Sequence, residues 1–445
     1  MSLPETVRDF VGIGLGPFNL GLACLTDPID ELDGVFLEAR DELAWHPGLM
    51  LDDATLQVPF LADLVSMADP TSRFSFLNHL KDTGNLYPFY IRESFYPLRR
   101  EYDRYCRWAA ERLDSVRFGR RVVGVEHDGT AYVVTTATGE VHRGRRLVLG
   151  TGTSPHVPEG LEGVVSTSST SVGPGSTDDQ GVALHASDYL HRKADLQRLD
   201  SITVVGSGQS AAEVYRDLLA ESADHGYELT WLTRSPRFFP MEYTKLTLEM
   251  TSPEYTAYFQ GLPDTTRARL LREQRSLHKG ISGDLVDEIF DLHYRLRVQG
   301  DGPRTTLVTS TEVTGGHWDG SAYELDLHHT ETDERFGLRT QGLVLATGYA
   351  ARVPDFLDGV RDRIRWDDQG RLVASPSYAV DHAGREIFVQ NAEEHTHGFV
   401  APDLGMGAFR NSVIIAAMLG REVYPVEKRV AVQSFGVPDH LRAVR

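Results

Sequence analysis

Apolar residues fall into two patterns along this chain: short unbroken runs that end at glycine clusters, and longer stretches where they recur every three or four positions. Residues 10–13 form the first run, and residues 18–25 carry helical spacing, so strand, turn and helix are expected in that order. Residues 35–37 give the next strand, which ends at Glu38 and completes a βαβ unit. The same order returns at 201–205, where the run leads into residues 206–213 and a helix with apolar positions at Ala211, Val214, Tyr215, Leu218 and Leu219. Its following strand, 229–233, ends at Arg234. Two such units predict an α/β fold with two Rossmann-like dinucleotide-binding domains.

The remaining segments read differently. Residues 45–99 break into turns and short apolar pieces that suggest a site-building insertion, and helical spacing resumes over 101–113. Residues 164–180 are Ser, Thr, Gly and Asp without periodicity, a solvated linker. Residues 236–300 read as helical and polar, with the aromatic and Met positions of 238–250 as packing, and 304–340 as short alternating strands. Leu343-Val344-Leu345-Ala346-Thr347-Gly348-Tyr349 is a buried strand entering a tight turn, and Leu147-Val148-Leu149-Gly150-Thr151-Gly152 resembles it.

Gly14-Leu15-Gly16-Pro17-Phe18-Asn19 fits a G-x-G-x-x-(G/N) loop, where missing side chains let backbone N–H groups at a helix start approach a pyrophosphate, with Glu38 placed for the ribose hydroxyls. Gly206-Ser207-Gly208-Gln209-Ser210-Ala211 is a second cradle. One glycine loop is equally well a bare strand–helix turn, but two in one chain are a stronger signal. Arg234 stands where the first unit has its acid, and a guanidinium there pairs with a 2′-phosphate, unless it is an ordinary surface arginine. The second nucleotide is therefore expected to be NADPH, and the first cradle to hold FAD. The corresponding domains are 1–195 with 341–425 for FAD and 196–340 for NADPH, the latter carrying a helical substrate region at about 236–300, with a peripheral tail at 426–445.

At 445 residues the chain is about three times a 150-residue domain, in keeping with two or three domains. Its 45 Lys and Arg against 64 Asp and Glu give −19, a field that repels nucleic acid and favours a cationic substrate. Only Cys24 and Cys106 are present, with no Cys-x-x-Cys, so a flavin would pass electrons to oxygen or a small acceptor, as in a monooxygenase or an oxidase. His395-Thr396-His397 lacks the further ligands of a metal site, and no metal is expected. The N-terminus has no export signal, and no run of 18 uncharged apolar residues occurs, so a cytoplasmic protein is expected.

Taken together, these residues resemble the flavin-dependent N-hydroxylating monooxygenases that act on L-lysine, L-ornithine or diamines in hydroxamate siderophore synthesis. The resemblance spans nearly the whole chain. It rests on Gly12-Ile13-Gly14-Leu15-Gly16-Pro17-Phe18-Asn19-Leu20, Trp45-His46-Pro47, Phe60-Leu61-Ala62-Asp63-Leu64, Asp69-Pro70-Thr71-Ser72, Ser75-Phe76-Leu77-Asn78, residues 206–213, Ala346-Thr347-Gly348-Tyr349 and Thr396-His397-Gly398. It implies FAD, NADPH and O2 as reactants, a C4a-hydroperoxyflavin, a homo-oligomer, and flavin contacts from Trp45, His46, Gln57 and His397. Arg99 matches an arginine that the family places near the flavin and nicotinamide, with an ion pair to Glu101 as the alternative.

The chain departs from that pattern where an amino-acid substrate would be held. The family's carboxylate-binding lysine is Ala62 here, and an asparagine and a serine of the substrate site align with Leu248 and Gly405. A methyl group cannot replace a charge-assisted hydrogen bond, and an unpaired carboxylate would cost several kcal/mol. A linear diamine, cadaverine or putrescine, is therefore the expected substrate, with L-lysine and L-ornithine as alternatives. Its distal ammonium needs an acceptor. Glu393, Glu394 and Asp403 are nearest in sequence, Asp403 being the candidate and a solvated acidic face the alternative. The reacting nitrogen must be neutral, although an amine of pKa near 10.4 is roughly 4 kcal/mol from that state at neutral pH. An NADPH oxidase, a monooxygenase of ketones or sulfur, and a non-catalytic flavoprotein are the rival classes.

Overall fold

The computed structural model describes residues 6–165, 181–300 and 302–442, and most of the linker expected at 164–180 lies outside them. Two five-stranded parallel sheets carry the two glycine loops. The first runs in the order Ile387–Val389, Leu147–Leu149, Phe10–Ile13, Gly34–Leu37, Val116–Arg117. Every residue of Phe10–Ile13 is buried, which explains an unbroken apolar run where a half-exposed strand would alternate. Phe10 and Phe36 face a helical layer containing Pro17–Thr26 and Arg99–Ala110, while Val11, Ile13, Val35 and Leu37 face the strands Val122–His127 and Tyr132–Thr136.

The second sheet has the order Val182–His185, Gly342–Leu345, Ser201–Val205, Glu228–Leu232, Thr305–Val308, all parallel. Here the structure corrects the expected boundaries. Val182–His185 and Gly342–Leu345, expected in the FAD segments, pair with each other and with Ser201–Val205 in the second sheet. The two similar runs of the sequence explain the crossing. Each ends in a positive-φ glycine, Gly152 at +73° and Gly348 at +89°, and the segments that follow, Thr153–Pro155 and Tyr349–Ala351, pair as an antiparallel ribbon. The chain passes between the sheets through that ribbon.

Residues 236–300 are helical as expected, with helices Lys245–Leu248, Pro253–Gln260, Asp264–Glu273 and Gly283–Gln299. The strands Thr311–Trp318, Tyr323–His329 and Glu334–Thr340 form a separate antiparallel sheet. The tail is not peripheral. The backbone N–H groups of Val430 and Ala431 donate to Glu254, those of Val432 and Gln433 donate to Glu249, and the Phe435 ring packs edge-on against Tyr255 at 4.9 Å. Among the described residues no helix is long and apolar enough to cross a membrane.

Candidate active site

Both glycine loops end at helices that begin without a side-chain cap. Gly16 precedes Pro17–Thr26 and Gly208 precedes Gln209–His225, so the first N–H groups of each helix are free for an anion. Gly14, at φ +86°, could carry no side chain, since a Cβ would lie 2.5 Å from the Gly150 carbonyl oxygen. A Cβ on Gly206 would lie 2.2 Å from the Ala346 carbonyl oxygen. Gly16 has open space around it, as close approach of a pyrophosphate requires. The Glu38 carboxylate accepts from the Leu15 and Arg40 N–H groups at 2.8 and 2.9 Å, which fixes it beside the first loop. These cradles fit two dinucleotides.

Two residues expected to touch the first cofactor serve the loop instead. A Cβ on Gly12 would meet the Phe36 ring at 2.3 Å, so this glycine permits strand packing. Asn19 is fully buried. Its amide donates to the Gly14 carbonyl at 2.7 Å and its oxygen accepts from Gln390 at 2.7 Å, holding the loop's shape.

A cleft of about 2280 Å³ runs past the first loop, and Gly14, Gly16, Pro17, Phe18 and Glu38 line it. Trp45, His46, Gln57, Arg99, Ser210 and Tyr349 line it as well. Burial, helped by the Arg99 and Arg40 charges, pushes the His46 pKa down to about 4, so the ring is neutral at pH 7. The Tyr349 ring stands edge-on between His46 at 5.8 Å and His185 at 5.1 Å. Its hydroxyl is buried without a partner and its pKa is pushed up to about 12, so a neutral donor is held ready for a bound group. Thr347 donates to the His156 carbonyl and so fixes the turn. Arg234 is exposed, with no ion pair among the described residues.

The His397 expectation needs correction. Its ring is 1% exposed, stacked on Tyr378 at 4.3 Å and hydrogen-bonded to Thr396, and neither it nor Gly398 lines the cleft. Neighbouring His395 does. Arg99 does not pair with Glu101. It makes a two-pronged ion pair with Glu213, at 2.7 Å on each prong. Met241 and Tyr243, read from sequence as packing, line the cleft together with Leu248.

Ala62, Asp403 and Gly405 converge at one corner. A Cβ on Gly405 would lie 3.1 Å from the Asp403 carboxylate and 3.7 Å from the Ala62 methyl group. Asp63, beside Ala62, accepts from the N–H groups of Val65, Ser66 and Phe76 and from the Ser66 hydroxyl, which fixes the segment that presents Ala62. The Gly405 N–H donates to Asp403 at 2.7 Å. Desolvation pushes the Asp403 carboxyl pKa up, opposed by that bond and by the more distant Arg410 and His278. Among the described residues no cation lies within ion-pair distance of it. Neither acid fits a solvated face: Glu393 is 0% exposed and pairs with Arg410, and Asp403 is recessed in the cleft wall. Glu394 is nearer the surface, and its pKa is lowered because His278 and Lys279 outweigh its burial. His278, which sequence reading missed, lines the cleft against Phe399, with Nε2 3.4 Å from a Glu394 carboxylate oxygen. Nothing in its sequence neighbourhood marked it.

Two anion-ready helix starts, with a cleft lined by aromatic side chains and a neutral donor, fit a flavoprotein that takes electrons from a nicotinamide. Residues 6–351 match the family model L-lysine 6-monooxygenase/L-ornithine 5-monooxygenase, and the chain belongs to that family, whose members bind FAD and NADPH. It is 44% identical over 441 residues to the putrescine N-hydroxylase of Shewanella oneidensis, covering 98% of this chain and 85% of that protein. The FAD-bound cadaverine monooxygenase of the desferrioxamine pathway from Erwinia amylovora superposes with a TM-score of 0.91 at 47% identity, covering 98% of this chain and 99% of that one. An ornithine N-hydroxylase from Kutzneria, solved with reduced FAD, NADP+ and L-ornithine, is more distant, with a TM-score of 0.83 at 26% identity over 93% and 99% of the two chains.

Proposed function

We propose that this protein hydroxylates one terminal nitrogen of an aliphatic diamine, cadaverine or putrescine, for hydroxamate siderophore biosynthesis. The balance is R–NH2 + O2 + NADPH + H+ giving R–NHOH + NADP+ + H2O. The observation that carries the substrate is Asp403, a recessed carboxylate with, among the described residues, no cation in ion-pair contact, flanked by a methyl group and a glycine. A diamine brings the missing cation as its distal ammonium. A substrate carboxylate would instead meet a like charge with no lysine at position 62 to offset it.

FAD would lie on Gly14, Gly16 and the helix start at Pro17 and Phe18, with Glu38 on its ribose and Trp45, His46, Gln57 and Tyr349 around its ring. NADPH would lie on Gly206, Gly208, Gln209 and Ser210, with Arg234 on the 2′-phosphate. When bound, the flavin supplies oxygen activated at NADPH's expense. The chain's own residues select and prepare the amine. Asp403 anchors the distal ammonium, and Met241, whose sulfur lies 3.9 Å from the Gln57 amide nitrogen, helps to keep water from the other end, which favours its neutral, nucleophilic form. His46, neutral at pH 7, adds no positive charge that would repel the substrate.

The enzyme works as a homo-oligomer in the cytoplasm. The oligomer is supported by two exposed apolar faces: Phe290, Tyr294 and Val298 along one side of Gly283–Gln299, and Tyr87, Tyr90 and Ile91 on Leu86–Ile91. The deciding experiment follows NADPH- and FAD-dependent hydroxylamine formation and oxygen uptake with cadaverine, putrescine, L-lysine and L-ornithine. Product from diamines is expected. Efficient turnover of L-lysine or L-ornithine would overturn the substrate assignment, and peroxide without hydroxylamine from any amine would make the protein an oxidase.

A further inference from the structure

Gln57 and Arg99 belong to the segment that encloses the first cofactor bed, yet both are held by the helix that begins the second. Glu213, on Gln209–His225, accepts from the two terminal nitrogens of Arg99 at 2.7 Å each. Gln209 Nε2 donates to Glu213 Oε1 at 2.8 Å, and Gln209 Oε1 accepts from Gln57 Nε2 at 3.0 Å and from the Ser282 N–H at 2.8 Å. Four side chains thus form one hydrogen-bonded relay across the junction between the units. It is well shielded, with the side chains of Arg99 and Glu213 13% and 6% exposed, so little water competes for either charge.

The two partners differ in what they face. Arg99 lines the cleft, whereas Glu213 does not and lies behind it on the helix. A guanidinium on so long a side chain has many rotamers, and a planar two-pronged carboxylate selects one of them. Gln209 has both ends of its amide committed to the relay, so its side chain serves the same purpose.

We infer that Glu213 is a positioning residue, fixing the Arg99 guanidinium, and through Gln209 the Gln57 amide, at the place where the two cofactors meet. This rests on the proposed reaction only in taking the nicotinamide and the flavin to meet beside Arg99. Because the relay starts on the helix whose first turn would hold NADPH, hydride transfer is the step most exposed to its loss.

The test uses holoenzyme and the rate of anaerobic flavin reduction by NADPH. Glu213→Gln preserves shape and removes the charge. Anaerobic reduction is expected to slow at least tenfold, and in aerobic turnover a larger share of the electrons from NADPH ends in peroxide, while FAD content and the amine KM stay within twofold. Glu213→Asp, which keeps the charge on a shorter stem, is expected to fall between parent and Glu213→Gln. If Glu213 acts through Arg99, the double variant Arg99→Gln/Glu213→Gln is no slower than the slower single variant. Multiplying losses in the double variant overturn the inference, as does reduction within twofold of parent in Glu213→Gln. Should Glu213→Gln fail to retain FAD, reduction at the parental rate in Glu213→Asp overturns it equally. A parent that reduces its flavin normally but hydroxylates no diamine would sink the substrate assignment and leave this test intact.

Discussion

Glu213 and Asp403 are both carboxylates drawn out of bulk water, and the difference lies in what faces them. Glu213 meets a guanidinium in two-pronged geometry and the amide of Gln209, so its charge is satisfied within the chain. Asp403 has one backbone N–H and, among the described residues, no cation in ion-pair contact. Desolvation raises both pKa values, but only at Asp403 is the opposing charge left to a ligand. Glu393 belongs with Glu213: it is buried against Arg410, whose guanidinium lies over the Phe18 ring at 4.5 Å and so ties the pair to the start of the first cradle's helix. A recessed acid paired within the chain builds the site, and one without such a partner is the acid that the proposed reading gives to the substrate.

The largest expected effect separates the two kinds of acid by stability. Arg410→Met leaves Glu393 buried without its partner and should lower the unfolding free energy by about 3–5 kcal/mol, measured by urea denaturation of holoenzyme. A loss below about 1 kcal/mol would erase the distinction, because it is within the range of an exposed ion pair.

Asp403→Asn should do the reverse. Loss of a charge-assisted hydrogen bond to the distal ammonium, worth about 1.5–3 kcal/mol, lowers kcat/KM for the diamine roughly 10- to 150-fold. Stability at pH 7 should hold or rise. The sign follows from linkage: the folded-state pKa lies above the unfolded one, so ionised Asp403 opposes folding at neutral pH, and that cost disappears as pH falls through the raised value. The parent's amine KM should accordingly rise as pH falls through the same value, a limb that Asp403→Asn should flatten. A variant that is destabilised at pH 7 and still binds diamine would make Asp403 a structural acid like Glu393.

A smaller effect is expected from supplying Asp403 with a cation of the chain's own. Ala62→Lys puts an ammonium within reach of the same corner and should reduce diamine kcat/KM about tenfold, near 1.4 kcal/mol, with FAD content unchanged. Unaltered diamine kinetics would mean that Ala62 and Asp403 do not share a subsite.

Much of this architecture was legible in the chain because its signals are local. A glycine that must sit against a carbonyl, as Gly14 and Gly206 do, leaves its mark in the sequence beside the strand and helix it joins. Ala62 and Gly405 were legible for a related reason, since each departs from a recognisable motif. The boundaries misled because an apolar run declares a buried strand without declaring its sheet, and Gly342–Leu345 found its neighbours in the second sheet. His397 misled because alternate residues on a turn face opposite ways, which gives the cleft to His395 and the interior to His397. The Arg99 partner misled because Glu101 is near in sequence while Glu213 is near in space.

By itself, then, the sequence determined two dinucleotide cradles, a flavin with no thiol relay, and a substrate corner without its lysine, all properties of backbone freedom or of residue type at one place. Only the tertiary structure decided which charges are answered. Coulomb energy and desolvation depend on distance and burial, so a carboxylate is held by a guanidinium at Glu213, joined to Arg99 across 114 positions of chain, and at Asp403 has, among the described residues, no cation in ion-pair contact.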